Sequence, residues 1–276
     1  MKKLFFIILL FQALLSLKAQ DKDSIIVTHV GNCGFMIEMD STKIIIDGLF
    51  RDGLSIYSAP DSSITQLMRA GAEPFNNIDY VIVTHKHADH FDSRLVSEFM
   101  CVNEQCRLVC PGQVIEELMK KEAEKFNEFS SRLLECTPEE FMSKTFINGN
   151  LKIIGYRLGH MHESNKDIEN IAYYIELKPL SLFHTGDSDP GQLNEYTGAP
   201  PSDNPCDIAF VNTSFCNLKY YQFSNSFIGA KKIIAMHFPK DFFHMQHEKI
   251  SDLPDDYIEP VVFKEMMEKQ VFYIEK

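Results

Sequence analysis

The stretch that most constrains this chain is Thr84-His85-Lys86-His87-Ala88-Asp89-His90, which places three of its ten histidines and one aspartate within six residues. It directly follows Ile78-Asp79-Tyr80-Val81-Ile82-Val83, a short β-branched run without polar alternation. Such a run reads as a strand buried on both faces. Asp89 is expected to open a helix whose apolar positions are Phe91, Leu95, Val96, Phe99 and Met100. The imidazoles and the carboxylate then occupy the turn at the carboxyl end of a core strand, where open α/β sheets place their ligands. A single His in a turn is ordinarily a surface residue. Neutral imidazoles and a carboxylate at this spacing are the donor set of borderline divalent metals such as zinc. The motif reads as a metal site.

Length and composition narrow what surrounds it. The chain has 276 residues, enough for one domain with a large core. Lys2-Lys3, the apolar run Leu4 to Leu17 and the polar exit Lys18-Ala19-Gln20 have the three-part form of a secretory signal peptide. Residues 1–19 are therefore expected to be cleaved, leaving 20–276 as a single domain that is periplasmic or secreted. The apolar run is short for a bilayer span, and no later segment resembles one, so no stable membrane insertion is expected. The formal charge is −12, and loss of Lys2, Lys3 and Lys18 lowers it by three to −15. A chain this acidic is ill suited to hold a polyanion through its general field, which excludes nucleic acid as a partner. The seven cysteines carry no CxxC zinc pattern, and their odd number leaves at least one thiol free. They read as buried or incidental, with a bridge among Cys101, Cys106 and Cys110 as the lesser alternative.

Strand patterns at Ile25 to Val30, Phe35 to Met39 and Lys43 to Ile46 come first, with a short helix at Ile64 to Ala70 before the motif. Residues 107–149 read as mostly helical, with one helix at Val114 to Phe126 and another starting at Thr137-Pro138-Glu139-Glu140. Strands resume at Leu151 to Leu158, Ile171 to Leu177, Leu180 to Thr185, Ile208 to Asn212 and Ile233 to Met236. A helix at Val261 to Lys269 and a strand at Val271 to Ile274 close the chain. Two mixed sheets covered by helices accommodate this order. Three polar residues stop strands just as the motif does. These are His160 after Leu158, Asp187 after Thr185-Gly186, and His237 after Met236. His162 competes with His160 for one position; His160 is favoured because it abuts the strand end.

Taken together, the Gly31 to Phe35 turn, Ile44-Ile45-Ile46-Asp47, THKHADH, His184-Thr185-Gly186-Asp187 and the late strand ending in His237 resemble the metallo-β-lactamase-fold superfamily. The pattern is nearest to the branch containing the ascorbate-6-phosphate lactonase. The resemblance implies an α/β (α+β) fold, a four-layer αββα sandwich with two divalent ions between its sheets. His85, His87 and His160 would hold one ion, Asp89, His90 and His237 the other, and Asp187 would bridge them. Zinc is the expected metal, with manganese or iron as alternatives. The implied activity is hydrolysis of a small-molecule ester, lactone, amide or phosphodiester by a metal-activated hydroxide, with Asp89 orienting the nucleophile and receiving its proton. A bridging Asp187 departs from the Cys of many true metallo-β-lactamases and disfavours antibiotic hydrolysis. His87 departs from the carboxylate of flavodiiron proteins and disfavours redox chemistry. A metal-binding sensor without turnover, or a diiron oxidoreductase, are the rival readings. Of the other histidines, His29 and His184 read as core or supporting residues, and His244 and His247 as surface. Phe215, Tyr220 and Tyr221 read as core aromatics that could also wall a pocket.

Overall fold

The computed structural model describes residues 24–51, 54–149, 151–196, 201–203, 205–240 and 257–273. The leader at 1–19, His244, His247 and Ile274 lie outside the described residues. Within them no helix is long and apolar enough to cross a membrane.

Two seven-stranded sheets form the body of the protein. The first is built from β1 (Ser24–Gly31), β2 (Gly34–Met39), β3 (Thr42–Ile46), β4 (Tyr80–Ile82), β5 (Arg107–Cys110), β6 (Leu133–Glu135) and β14 (Lys269–Tyr273), in the order β14-β1-β2-β3-β4-β5-β6. The second takes β7 (Ser143–Asn148), β8 (Leu151–Arg157), β9 (Ile171–Leu177), β10 (Leu180–His184), β11 (Cys206–Asn212), β12 (Ala230–Met236) and β13 (Val261–Val262) in the order β13-β12-β11-β10-β9-β8-β7. Both sheets are mixed: β3 to β6 and β10 to β13 run parallel, and the remaining pairs are antiparallel.

The continuous apolar runs are explained by the two faces of each strand. Side chains alternate across a sheet. Ile44 and Ile46 of β3, with Tyr80 and Ile82 of β4, enter the core between the sheets, where they meet Tyr173, Ile175, Ile208 and Phe210. Ile45 and Val81 point the other way. They pack under α1 (Ser62–Ala70), α2 (Ser93–Val102), α3 (Gly112–Lys121) and α4 (Ala123–Phe129) through Met68, Leu95, Phe99, Leu118 and Phe129. On the second sheet, Tyr174, Phe183, Ala209 and Val211 pack with Tyr221 and Phe227 of α5 (Leu218–Ile228). Helix, sheet, sheet and helix thus form the four layers expected from the sequence.

Several local expectations are corrected. The helix after the motif begins at Ser93, not at Asp89. Asp92 is its N-cap, and its Oδ1 accepts the Leu95 N–H at 2.7 Å. Residues 107–149 are less helical than expected, because β5, β6 and β7 interrupt them. Thr137 starts no helix of its own; its Oγ1 accepts the Gly112 N–H at 2.8 Å, at the start of α3, where Pro111 offers no capping side chain. The stretch Val261 to Lys269 is not a helix. Val261 and Val262 pair with β12, and the backbone then turns through Met267 at φ 61°. All seven cysteines are free, so no bridge joins Cys101, Cys106 or Cys110.

Because α2 immediately follows the histidine turn, its cap also anchors that turn. Asp92→Ala is expected to lower stability by about 0.5–2 kcal/mol in urea unfolding. An unchanged midpoint would show that Asp92 does not hold the helix start.

Candidate metal centre

The site lies where β3, β4, β8, β10 and β12 end. Asp47, at the end of β3, is 1 % exposed, so its carboxylate needs full hydrogen-bond compensation. It receives three bonds: Thr84 N–H to Oδ1 at 2.8 Å, Thr84 Oγ1–H to Oδ2 at 2.6 Å, and His90 Nδ1–H to Oδ2 at 2.7 Å. Since the Thr84 hydroxyl spends its single proton on Asp47, it can only accept from His85 Nδ1, at 3.0 Å. One buried carboxylate, directly for His90 and through Thr84 for His85, thereby keeps a proton on the outer nitrogen of each ring and turns its Nε2 inward. Carboxylate–histidine pairs do this around bound metals.

The first group of donors forms around His87. His85 Nε2 lies 3.0 Å and His160 Nε2 3.2 Å from His87 Nδ1. His160 Nδ1 donates to the Met161 carbonyl, so its Nε2 also carries a lone pair. A single N–H on His87 could serve only one of these two acceptors, whereas a cation between the three rings serves all of them. Nitrogens each ~2.0–2.1 Å from a tetrahedral zinc stand about 3.3 Å apart, close to the spacing found.

Asp187 joins this group to a second one. Its Oδ2 is 3.8 Å from His85 Nε2, 3.6 Å from His160 Nε2 and 3.2 Å from His237 Nε2, and its Oδ1 is 3.3 Å from His90 Nε2. Two sets of donor atoms result, each with all members within 4.8 Å of one another: His85, His87, His160 and Asp187, and Cys33, His90, Asp187 and His237. Asp89 flanks the second set. Its Oδ2 lies 3.7 Å from both His90 Nε2 and His237 Nε2 and accepts the Asn32 amide at 3.0 Å. Gly186 admits the Asp187 loop: at φ 53°, a Cβ there would stand 2.7 Å from Asn170 Oδ1, the atom that accepts the Asp187 N–H.

The electrostatics of the two groups differ. Burial holds His85 well below the usual imidazole range and lowers His160, and burial with the close approach of the His160 ring takes His87 to about 4. These rings are neutral and open to a cation at pH 7. In the second group burial alone would lower both imidazoles, but Asp187 and Asp47 raise His90 well above its usual value, and Asp187 with Asp89 raises His237 to about 9. Burial opposes ionisation of Asp187, yet the charges of His90 and His237 hold it well below the carboxylate range. His90 Nε2 is fully buried, and its nearest acceptor is the Asp187 Oδ1 with which it is ion-paired at 3.3 Å. A buried ring nitrogen aimed at two carboxylates needs a cation or a proton between them. The donor set therefore fits divalent metal ions.

All seven residues singled out from the sequence (His85, His87, Asp89, His90, His160, Asp187 and His237) come together here. His162 does not: it is exposed, with backbone φ 81°, and belongs to neither group. His184 supports the site from its rim, accepting the Gly186 N–H at Nδ1 (3.1 Å) and donating from Nε2 to the Cys33 carbonyl (3.0 Å). His29 lines an adjoining cavity of about 120 Å³ with Asn32, Ser58, Met236, Phe238 and Lys240. Three residues escaped sequence reasoning: Asp47, Cys33 and Tyr57. Asp47 follows Ile44-Ile45-Ile46, and its polarity after three isoleucines is the available signal. Tyr57 packs against His237 with ring centroids 4.2 Å apart and planes tilted by 51°, and nothing in its loop distinguishes it. Tyr221 packs in the helix-covered core, as its aromatic character suggested.

Comparison with known proteins agrees with this fold. A family model described as the beta-lactamase superfamily domain matches residues 42–253. No curated protein matches the sequence. Among solved structures, the fold is similar to Igni18, a metallo hydrolase from the archaeon Ignicoccus hospitalis (TM-score 0.60, 14 % identity, 91 % of this chain and 100 % of that one). It is similar to the metallo-β-lactamase-fold protein YhfI from Bacillus subtilis (TM-score 0.54, 14 % identity, 91 % and 100 %). It also resembles part of CmlA, a diiron β-hydroxylase from Streptomyces venezuelae (TM-score 0.52, 10 % identity, 79 % of this chain and 45 % of that one). At these identities the likeness is one of fold.

Two outcomes are expected. Asp47→Asn, which keeps the shape but cannot accept all three bonds, should weaken metal affinity about 10–100-fold in chelator competition; unchanged affinity would remove Asp47 from the account. Metal binding to stripped protein at pH 7.5 should release on the order of two protons, because His90 and His237 are protonated until a cation displaces their protons. Below about 9 the His237 ring keeps its proton, so affinity at that position falls as pH drops from 9, while His87 stays neutral down to about 4. Calorimetric titrations in buffers of different ionisation enthalpy read the release, and identical apparent enthalpies would contradict it.

Proposed function

This chain belongs to the beta-lactamase superfamily, and from that membership and its buried donor cluster we propose that it is an exported hydrolase working with two divalent cations. The observation that carries this reading is the pair of donor groups sharing Asp187. His85, His87 and His160 would hold one cation, His90, His237 and Asp89 the other, with Asp187 between them. Zinc suits these nitrogen and oxygen donors best, and manganese or iron are compatible. When bound, such a pair supplies an acidified water and polarises the oxygen of the bond to be split.

The chain's own groups do the rest. Asp47 keeps the His85 and His90 lone pairs inward, so the donors need not reorganise during turnover. Burial of His85 and His90 at 0 % exposure excludes bulk water behind the reacting centre and strengthens every charge interaction there. Burial works against ionisation of Asp89, but its hydrogen bond with His237 and the His90 charge keep it a carboxylate. Asn32 fixes its Oδ2 from one side, and Asp89 then takes a proton from the attacking water and can return it to the leaving group. Tyr57, half-buried beside His237, is held protonated to about 12 by burial and the nearby Asp187 and Asp89 charges.

The substrate is proposed to be a small molecule carrying an ester, lactone, amide or phosphodiester, and the sequence likeness to the ascorbate-6-phosphate lactonase branch supports choices within that range. The net charge of −12 argues against nucleic acid. The apolar leader supports export to the periplasm or medium.

Metal-replete protein should hydrolyse at least one member of a panel of lactones, esters, amides and phosphodiesters. His85→Ala and Asp187→Ala should lose metal and turnover together. Asp89→Asn should lower kcat about 10²–10⁴-fold. A fully loaded protein inert across the panel would point to a metal-binding sensor, and a coloured, redox-active one to a diiron oxidoreductase; either would overturn the hydrolase reading.

A further inference from the structure

Within the dinuclear reading just given, we propose that Cys33 is itself a metal ligand, its sulfur completing the shell of the ion held by His90, His237 and Asp187. Cys33 is fully buried, and its Sγ belongs to the group whose four donor atoms all lie within 4.8 Å of one another. Asp89 is not one of those four. The fully buried His90 Nε2, which meets no geometric hydrogen bond and faces Asp187 Oδ1 at 3.3 Å and Asp89 Oδ2 at 3.7 Å, is a second and independent sign that this group surrounds a ligand position.

The turn that carries Cys33 is locked from both sides. Asn32 adopts φ 40°, donates its side-chain amide to Asp89 Oδ2 at 3.0 Å, and donates its backbone N–H to Ser58 Oγ at 3.0 Å. Cys33 offers its carbonyl to His184 Nε2 at 3.0 Å, which ties the turn to the end of β10, just ahead of Asp187. At Gly34 a Cβ would stand 2.7 Å from the Asp47 carbonyl, so the backbone comes as close to the end of β3 as glycine permits. These restraints hold the thiol at one place, facing Asp187 Oδ1 across 3.9 Å. That is long for a bond to an ionised carboxylate, and a cation between sulfur and oxygen removes the mismatch.

The chemistry is a simple exchange. The Cys33 S–H bond breaks, an S–metal bond forms, and the proton leaves to solvent; nothing is oxidised or reduced. A thiolate makes this position favour thiophilic ions such as zinc or cobalt over manganese or magnesium. Asp89, already engaged by Asn32, then shares the shell with the sulfur.

Cobalt(II) reports the sulfur directly, because cobalt bound by a thiolate shows an intense near-ultraviolet charge-transfer band that nitrogen and oxygen ligands do not give. The full chain, stripped and reloaded with about two equivalents of cobalt(II), should show that band, growing with the second equivalent. Both Cys33→Ser and Cys33→Ala should lose it while keeping one cobalt at the His85 group, with unchanged far-ultraviolet circular dichroism. Two bound cobalt ions without the band in the unaltered protein would overturn the Cys33 assignment and leave the dinuclear reading standing. A band that survives in both variants would assign it to another thiol and likewise overturn the proposal. Failure of the unaltered protein to bind cobalt at all would overturn both.

Discussion

The centre of this protein depends on the burial of Asp47. An ionised carboxylate removed from water is costly unless its oxygens are filled with donors. Here Thr84 fills two positions and His90 a third. The cost is offset only when the histidine turn closes onto the end of β3, so the same interaction that satisfies Asp47 orients the rings. Thr84 passes this constraint on to His85. The geometry of the donors is thus set by a side chain that faces none of the space between them.

From this anchor the site spreads across both sheets. Strand ends at Asp47, His85, His160, Asp187 and His237 belong to different sheets and meet at one edge of the sandwich, which is why the ligands are scattered in sequence yet adjacent in space. Asp187 carries the electrostatic consequences. It draws protons onto His90 and His237, while burial strips them from His85 and His87. One side of the centre is therefore ready for a cation at neutral pH, and the other must exchange protons for it.

Much of this architecture was readable from residue patterns. Isoleucine and valine runs marked the doubly buried strands β3 and β4, and the polar residue that stopped each strand marked the site. What was missed follows from physics that patterns do not encode. Ser143–Asn148 is an exposed edge strand in which only Phe146 packs on the core, too little for a core signal, and it is held by pairing to β8. Val261–Val262 is too short to show a period, and only parallel pairing with β12 makes it a strand. Leu218–Ile228 mixes tyrosine, serine and asparagine and shows little helical periodicity. The choice between His160 and His162 turned on backbone conformation, because His162 adopts φ 81° and points its position into solvent. Asp47 and Cys33 could not be ranked from sequence because their importance comes from contacts with residues far along the chain, such as His90 and Asp187.

The central claim is that these donors converge on two cations. Anomalous diffraction at the zinc edge, from crystals of protein purified without chelator and soaked in zinc, tests it most directly. The account predicts two anomalous peaks, one among His85, His87 and His160 and one beside His90 and His237, with Asp187 reaching both. No peak at this edge of the sandwich, or zinc bound only elsewhere on the surface, would contradict it.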